Sequence, residues 1–196
     1  MVDSGNVCKA VVSQIETDFT TRLDGSSEYS KLLAQLCKDP ARNSLITKHI
    51  ANEATGIGGI IMTLSDRKEH CLSLQKLLSE KGFCADVLTG DLSPKNRLVI
   101  TDKLNTGSCK ILIGTAQLLS EGFDCKAISS VVLASPMRFS GKIIQSIGRA
   151  LRPSAGKTHA RIIDFCDSNI GVLKNSADSR MRLFKRTPGI SIAPKG

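Results

Sequence analysis

The chain has 196 residues, of which 41% are hydrophobic, so it is long enough to bury one core of ordinary size. Its uncharged apolar runs, such as SVVLA and ILIG, are far shorter than the roughly 20 residues that a helix needs to cross a bilayer. Its first residues lack the basic and apolar regions of a signal peptide. These features argue against a membrane partner and against secretion, and they predict a soluble, cytoplasmic protein.

The formal charge of +9 is concentrated in the C-terminal third. Residues 138–161 contain six basic residues and no acid, and residues 174–196 contain six basic residues and one acid. Such focused charge predicts a polyanionic partner, either nucleic acid or nucleotide phosphates; a solvated basic surface without a partner is the alternative. Because the chain has six Phe, one Tyr and no Trp, few rings could stack on bases, and we expect contacts to the phosphate backbone.

The cysteines and histidines predict neither a metal site nor a disulfide framework. Both of those sites use paired spacings such as C-x-x-C, and here the seven cysteines and three histidines are scattered. We therefore expect reduced thiols, several of them in the core, and no metal ligand. The residues concerned are Cys8, Cys37, Cys71, Cys84, Cys109, Cys125 and Cys166, with His49, His70 and His159.

The first 55 residues show weaker patterns than the rest of the chain. The stretch VVSQIETDF (11–19) could form an extended arm, and DGSSEYS (24–30) is typical of a turn or linker. A helix is predicted over 39–54, with Asp39 as N-cap and Pro40 as its first helical residue.

From residue 59 onward, strand and helix patterns alternate. Strands are predicted at 59–64, 84–89, 110–115, 128–134 and 160–165, and helices at 66–82, 93–107 and 140–152. We expect Asp66 and Glu69 to form a capping-box-like start to the first of these helices. Ser93 should cap the second, which closes on Gly107. The tail 186–196 is expected to be ragged.

This alternation predicts an α/β fold with three layers, α/β/α, and a mainly parallel sheet that is covered by helices on both faces. Ligands of such sheets bind at the carboxyl ends of the strands. The loops after residues 64, 89, 115, 134 and 165 should therefore carry the functional residues.

The sequence Gly156-Lys157-Thr158 is similar to the end of a nucleotide-binding P-loop. A P-loop requires a glycine five residues before the second glycine, and it follows a strand and opens a helix. Here the earlier position holds Leu151, and the GKT precedes the predicted strand HARIIDF. We interpret it as a connection between a helix and a strand.

Three motifs follow one another on this predicted scaffold and resemble the second, C-terminal RecA-like motor domain of superfamily 2 DEAD/DEAH-type helicases and translocases. Details such as EGFDC and GRALRPSAGKTHARIIDF look most like the restriction and repair members, and the resemblance covers roughly residues 40–175. The motif residues are Gly90, Arg97 and Gly107 in TGDLSPKNR and LNTG; Thr115, Gly122 and Asp124 in ILIGTAQLLSEGFDC; and Gln145, Gly148, Arg149 and Arg152 in QSIGRALR.

The resemblance implies a role for each motif. Arg149 and Arg152 would be catalytic arginine fingers, which stabilise charge on the transferring γ-phosphate. The nucleotide-binding residues would be Gln145, Gly148, Gly122 and Asp124, and the nucleic-acid-binding residues would be Thr115, Gly90 and Arg97. In the family the motif glycine often lies six residues after the threonine. Since Gly122 is seven residues after Thr115, Ser120 competes for the contacting position.

The chain contains neither a P-loop nor a D-E-x-[DH] sequence. Family members carry both on a first motor domain, which holds ATP and Mg²⁺ and would precede residue 1. The expected partners are therefore DNA or RNA, through the phosphate backbone, and that N-terminal P-loop domain of the same protein. We expect no cofactor bound to this chain alone and no ATP hydrolysis by it. Residues 1–38 would be an arm or linker from the first domain, 39–175 the helicase domain, and 176–196 a basic helix and tail.

Two other functions are weighed against a motor lobe. A non-catalytic nucleic-acid-binding or regulatory module could keep the same fold, but it would not need the intact Q-x-x-G-R-x-x-R sequence at 145–152. A small stand-alone nucleotide-binding enzyme is disfavoured by the missing P-loop.

Overall fold

The computed structural model describes residues 10–56, 59–115, 128–137, 147–148 and 160–194. The strands within these residues are β1 (Ala10–Glu16), β2 (Ile60–Leu64), β3 (Ala85–Leu88), β4 (Ile111–Gly114), β5 (Ile128–Leu133), β6 (Ala160–Cys166) and β7 (Ile190–Ile192). The helices are α1 (Tyr29–Lys38), α2 (Pro40–Gly56), α3 (Lys68–Glu80), α4 (Pro94–Asn105) and α5 (Gly171–Arg186).

The seven described strands form one sheet in the order β3-β4-β2-β5-β6-β1-β7. Each neighbouring pair is parallel. The central strands are continuous apolar runs because both of their faces are covered: every residue of β2, β4 and β5 is buried. The predicted parallel sheet, with five strands in the predicted places, is confirmed.

Helices pack on both faces of the sheet and give the predicted three layers. On one face, Ile46 and Ile50 of α2 and Leu74 of α3 pack in a cluster with Ile61 of β2. On the other face, a second cluster joins the adjacent β2 residue, Met62, to α4, α5 and the buried Ile147. Successive residues of a strand point to opposite faces, so one strand supplies both cores.

The local signals at two helices act as predicted. Ser93 Oγ accepts a hydrogen bond from the Asn96 backbone N–H at 3.3 Å, and Pro94 is the first residue of α4. Asp39 Oδ1 accepts from the Arg42 backbone N–H at 2.7 Å at the start of α2. These bonds satisfy backbone donors that have no partner inside a helix.

The predicted capping box of α3 is wrong. The helix begins at Lys68, and its N-cap residue, Arg67, makes no side-chain capping bond. Asp66 lies in the preceding loop, where its backbone N–H donates to Ser135 Oγ at 3.0 Å. The residue expected to cap α3 is thus engaged, through its backbone, in a tertiary contact with the segment after β5.

Both ends of the described chain belong to the sheet. Residues 10–16 of the predicted extended arm form β1, an inner strand between β6 and β7, because Ala10 and Val12 are buried in the core. Three residues of the predicted ragged tail form β7, which pairs with β1. The division of the chain at residues 38 and 175 stays a prediction, but segments beyond both boundaries contribute strands to the one sheet.

The described cysteines are all free thiols: Cys37, Cys71, Cys109 and Cys166 are buried and Cys84 is exposed. Several thiols in the core were predicted. In the described ranges, no group of His, Cys, Asp and Glu side chains could hold a metal ion. None of the helices seen in that part of the chain is both long and apolar enough to span a membrane.

Candidate nucleotide and nucleic-acid site

The carboxyl ends of the parallel strands lie along one edge of the sheet, which we term the carboxyl edge. Polar residues follow these strands directly and are buried or half-buried. They are Thr17 after β1, Ser65 after β2, Thr89 after β3, Thr115 after β4, Ser135 close after β5, and Asp167 after β6. This is the edge where ligands of parallel α/β sheets bind, and the predicted loops begin there.

The three predicted nucleic-acid-binding residues come together at one corner of this edge. Strands β3 and β4 are neighbours in which Leu88 is the partner of Gly114, so Gly90 and Thr115 follow adjacent strand ends. Arg97 of α4 reaches back to this corner, where its Nη2 donates to the Gly90 carbonyl oxygen at 3.4 Å. Gly90 is exposed, while Arg97 and Thr115 are half-buried.

An ion pair holds the loop that carries Gly90. Asp91 accepts a hydrogen bond from the Lys68 ammonium of α3, and this bond lowers the pKa of Asp91. Gly90 itself has no left-handed φ, and a Cβ built on it would meet no atom within 4 Å. The fold of the described chain therefore does not require glycine at this position.

Two residues of QSIGRALR, Ile147 and Gly148, lie within the described residues, and Gly148 is the one predicted to bind nucleotide. Gly148 is helical and exposed, and its neighbour Ile147 is fully buried in the core. A Cβ added to Gly148 would also meet no atom within 4 Å. The other predicted nucleotide-site residues, Gln145, Arg149, Arg152, Gly122 and Asp124, lie outside the described residues, as do Ser120 and the GKT at 156–158.

A buried ion pair, which sequence reasoning missed, joins four elements behind the carboxyl edge. The Arg42 guanidinium of α2 donates from Nε to Asp167 Oδ1 at 2.7 Å and from Nη2 to Asp167 Oδ2 at 3.2 Å. Its Nη1 donates to the Ala134 carbonyl oxygen after β5 at 2.7 Å. Thr17 Oγ1, after β1, donates to Asp167 Oδ1 at 2.5 Å.

A second buried chain of hydrogen bonds starts at Asn43, the residue after Arg42 in α2. Asn43 Nδ2 donates to the Cys37 carbonyl oxygen at 2.9 Å, which leaves Asn43 Oδ1 as an acceptor 2.9 Å from His70 Nε2. His70 therefore carries its proton on Nε2, and its Nδ1 accepts from Ser65 Oγ at 2.8 Å. Burial, and then the nearby Arg42 charge, lower the pKa of His70 to about 3, so the ring is neutral.

Only a weak feature of the sequence indicated these two buried hydrogen-bond networks. Asp167 follows the apolar run of β6 at a predicted ligand loop, and a buried strand that ends on a carboxylate needs a cation. Nothing local indicated that this cation is Arg42, because the two residues are 125 positions apart.

Comparison with known proteins agrees with the fold. The family model described as "Helicase conserved C-terminal domain" matches residues 41–154, more than half of the chain. The putative ATP-dependent helicase IRC3 of Saccharomyces cerevisiae is 28% identical over 180 residues, covering 88% of this chain and 26% of IRC3. The ATP-dependent DNA helicase uvsW of Enterobacteria phage T4 is 24% identical over 198 residues, covering 93% of this chain and 36% of uvsW. The chain thus spans about a quarter to a third of these relatives.

Solved structures with the same fold include T4 UvsW and the DEAD-box protein Dbp5. The crystal structure of T4 UvsW superposes with a TM-score of 0.72 at 18% identity, covering 94% of this chain and 41% of that one. The C-terminal domain of the DEAD-box protein Dbp5 gives 0.61 at 18% identity, covering 96% of this chain and 91% of that one. Dbp5 of S. cerevisiae bound to RNA and ADP BeF3 gives a TM-score of 0.64 at 19% identity, covering 96% of this chain and 41% of that one. With its matched family model, motif order and parallel sheet, this chain belongs to the helicase conserved C-terminal domain family and has the RecA-like fold of superfamily 2 helicase C-terminal domains.

Proposed function

We propose that this chain is the C-terminal lobe of an ATP-dependent nucleic-acid helicase or translocase, and that it supplies arginine fingers and contacts to the nucleic-acid backbone. The observation that carries this proposal is the intact Q-x-x-G-R-x-x-R sequence at 145–152 inside the segment that matches the helicase family. Arg149 and Arg152 are three residues apart, so on a helix they share a face and could reach one phosphate group.

The corner formed by Gly90, Arg97 and Thr115 supports the backbone contacts. Glycine costs a chain conformational entropy, and neither φ nor packing requires it at position 90. A partner that must approach the main chain closely explains the choice, and a nucleic-acid phosphate beside the Arg97 guanidinium is such a partner.

The same reasoning supports nucleotide binding near Gly148. A glycine in a helix destabilises it by about 1 kcal/mol relative to alanine, yet Gly148 is exposed, with no neighbouring atom close to its missing Cβ. Buried Ile147 anchors the helical segment against the core. The buried side is thus at Ile147, and the small exposed residue beside it allows a phosphate group to come close.

ATP and Mg²⁺ would be held by a P-loop domain of the same protein, with this lobe completing the site. The length of the relatives supports a partner domain of this kind. The relative uvsW is named as a DNA helicase, whereas Dbp5 has been solved in complex with RNA. Both DNA and RNA are therefore candidate partners of this chain. Without the P-loop domain the chain should not hydrolyse ATP, because the groups that bind the β- and γ-phosphates and the metal would be missing.

The decisive experiment is nucleic-acid-stimulated ATPase activity of the polypeptide that joins this chain to its P-loop domain, with the isolated chain as baseline. Arg152→Ala should lower turnover by roughly 10³-fold or more, since arginine fingers act on the transition state, and should leave ATP binding nearly unchanged. Arg152→Lys should rescue poorly, because a point charge cannot reproduce the planar guanidinium. The matched control is Lys157→Ala in the GKT sequence, which should keep nearly full turnover.

The opposite pattern, in which Lys157→Ala abolishes turnover and Arg152→Ala spares it, would overturn the assignment of the fingers. Turnover by the isolated chain that is lost on Lys157→Ala would show that the GKT binds phosphate after all. If the joined polypeptide binds nucleic acid but neither it nor its Arg152→Ala variant hydrolyses ATP, the alternative of a non-catalytic binding or regulatory module is favoured.

A further inference from the structure

The ion pair between Lys68 and Asp91 lies at the corner where the proposed nucleic-acid contacts meet. Lys68 is the first residue of α3, which follows β2, and Asp91 comes shortly after β3. Since β4 lies between β2 and β3 in the sheet, the pair spans the end of β4, where Thr115 follows the strand. The chain therefore places one cation and one acid of its own beside the proposed phosphate position.

A tight turn presents Asp91 next to Gly90. The Leu92 backbone N–H donates to the Thr89 carbonyl oxygen at 3.2 Å, which closes a β-turn with Gly90 and Asp91 as its central residues. Thr89 is buried and Leu92 packs against the core, so both ends of the turn are anchored. The two central residues are exposed, and the carboxylate is thus held where a nucleic-acid backbone would approach.

Two cations from different helices flank this turn. Arg97 of α4 donates from Nη2 to the Gly90 carbonyl oxygen at 3.4 Å, and the Lys68 ammonium of α3 donates to the Asp91 carboxylate. A backbone phosphate beside Gly90 would lie close to both positive charges, which are the groups that bind phosphates in such contacts. In the free chain one of these cations is already engaged by an acid.

The Lys68–Asp91 pair is open to exchange. The two side chains are 54% and 67% exposed, and exposed ion pairs contribute at most about 1 kcal/mol to stability. The pair therefore holds the turn only weakly, and the hydrogen bond between Leu92 and Thr89 holds it as well. A backbone phosphate brings a negative charge like that of the carboxylate, and its binding to a cation releases counterions. Replacing one anion by the other on Lys68 therefore costs little.

We propose that Lys68 is a further nucleic-acid-binding residue, and that Asp91 holds its ammonium in the free chain until a backbone phosphate at the corner takes the place of the carboxylate. This inference rests on the proposed function. Asp91 opposes binding in two ways, because it occupies Lys68 and repels a phosphate beside Gly90. The carboxylate thereby favours release of the nucleic acid, which a lobe that moves along a backbone requires.

The same helix offers a matched control pair away from the corner. Lys76 Nζ lies 4.0 Å from Glu80 Oε1, with side chains that are 80% and 56% exposed. Lys76→Gln and Glu80→Gln change the net charge of the chain as Lys68→Gln and Asp91→Asn do. Since all four residues are exposed, we expect the variants to keep the stability of the wild type, and thermal unfolding checks this.

The first measurement is fluorescence anisotropy with fluorescein-labelled single-stranded DNA and RNA of one sequence at several salt concentrations. Asp91→Asn should raise the affinity about threefold or more, and Lys68→Gln should lower it about threefold and reduce the magnitude of the salt slope by about one. Lys76→Gln and Glu80→Gln should each change the affinity by less than about twofold. DNA and RNA should respond alike, because they share the phosphate. An unchanged or lower affinity of Asp91→Asn would overturn the proposal.

The double variant tests the exchange itself. If Asp91 competes for Lys68, the gain in affinity from Asp91→Asn should be largely lost in a chain that also carries Lys68→Gln, since the two residues are coupled. An equal gain with and without Lys68→Gln would show that Asp91 only repels the phosphate, and the exchange would be refuted.

Arg97→Gln separates this inference from the proposed function. If Arg97→Gln weakens binding while Lys68→Gln behaves like Lys76→Gln, the inference about Lys68 fails and the proposed backbone contact at the corner stands. If neither Arg97→Gln nor Lys68→Gln weakens binding, the proposed contact at the corner fails first.

Discussion

At the scale of single residues, His70 shows how a polar side chain can sit in a core without a charge. Its two ring nitrogens are both used, one as a donor to Asn43 and one as an acceptor from Ser65. Protonation would place a second donor against the Ser65 hydroxyl and a cation close to Arg42, which already lowers the pKa of the ring. The neutral form is thus part of what holds α2, α3 and the end of β2 together.

This arrangement predicts a loss of stability in mild acid. The folded pKa of His70 is about 3 instead of 6.5, so the unfolded chain takes up a proton that the folded chain excludes. The stability that the neutral His70 ring contributes is complete above pH 6.5. This contribution is lost as the pH falls from 6.5 toward 3, by roughly 1 kcal/mol per pH unit. Urea unfolding of this chain at pH 7, 6 and 5 measures the effect.

The comparison with two variants isolates His70 in that titration. His70→Gln should be less stable at pH 7 but should lose less free energy of unfolding on acidification. His49→Gln should keep most of the slope of the wild type, because burial lowers the pKa of His49 without a network of this kind. Burial raises the pKa of Asp66 and Asp164, which gives a contribution of opposite sign that is common to all three proteins. Equal slopes for wild type and His70→Gln would refute the prediction.

At the scale of secondary-structure elements, α4 illustrates what local sequence can specify. Its first turn is closed by Ser93, and its end is closed by Gly107, which has a φ of +73° and whose backbone N–H donates to the Leu104 carbonyl oxygen at 3.2 Å. A left-handed residue after a helix favours glycine because other residues carry a Cβ that clashes there. Such signals involve neighbours in sequence, so these boundaries could be predicted.

Two glycines that flank α4 should respond differently to alanine. Gly107→Ala should lower the free energy of unfolding by about 1 kcal/mol, since its positive φ strains a side chain while no atom lies within 4 Å of the added Cβ. Gly90→Ala should leave stability nearly unchanged and weaken nucleic-acid binding, because its added methyl group points into the space proposed for a phosphate. Thermal unfolding and a binding titration on both variants test this pair. Weakened binding by Gly107→Ala alone would contradict it.

Elements whose formation depends on distant partners escaped prediction. In β1 only Ala10 and Val12 are fully buried, because the strand lies near the edge of the sheet, and its sequence resembles an arm until β6 is placed beside it. β7 has three residues, too few for a periodic pattern. At the start of α3, the Asp66 backbone N–H bonds to Ser135, which is 69 positions away, and the local capping pattern gave the wrong answer.

At the scale of the whole molecule, the order of strands and helices could be read from the sequence, and the buried polar networks could not. The parallel sheet follows from alternating apolar runs and amphipathic helices. In contrast, Arg42 meets Asp167 across 125 positions and Gln14 meets Asp164 across 150, and no periodicity connects such residues. The corner of Gly90, Arg97 and Thr115 could be placed because topology alone brings adjacent strand ends together.

The positive charge of the whole chain should make nucleic-acid binding weak, salt-sensitive and nearly independent of sequence. Helix α5 carries four exposed cations, which are Lys174, Arg182, Lys185 and Arg186. Each contact between such a cation and a phosphate releases counterions from the nucleic acid. Plots of the logarithm of affinity against that of salt concentration should be linear, and Arg97→Gln should lower the magnitude of the slope by about one. Lys76→Gln, on the exposed side of α3, is the matched loss of one charge away from the corner and should change the slope less. Fluorescence anisotropy with oligonucleotides of two unrelated sequences measures the affinity of wild type and of both variants. Tight binding to one of the sequences that persists at high salt would contradict contacts made through the phosphate backbone.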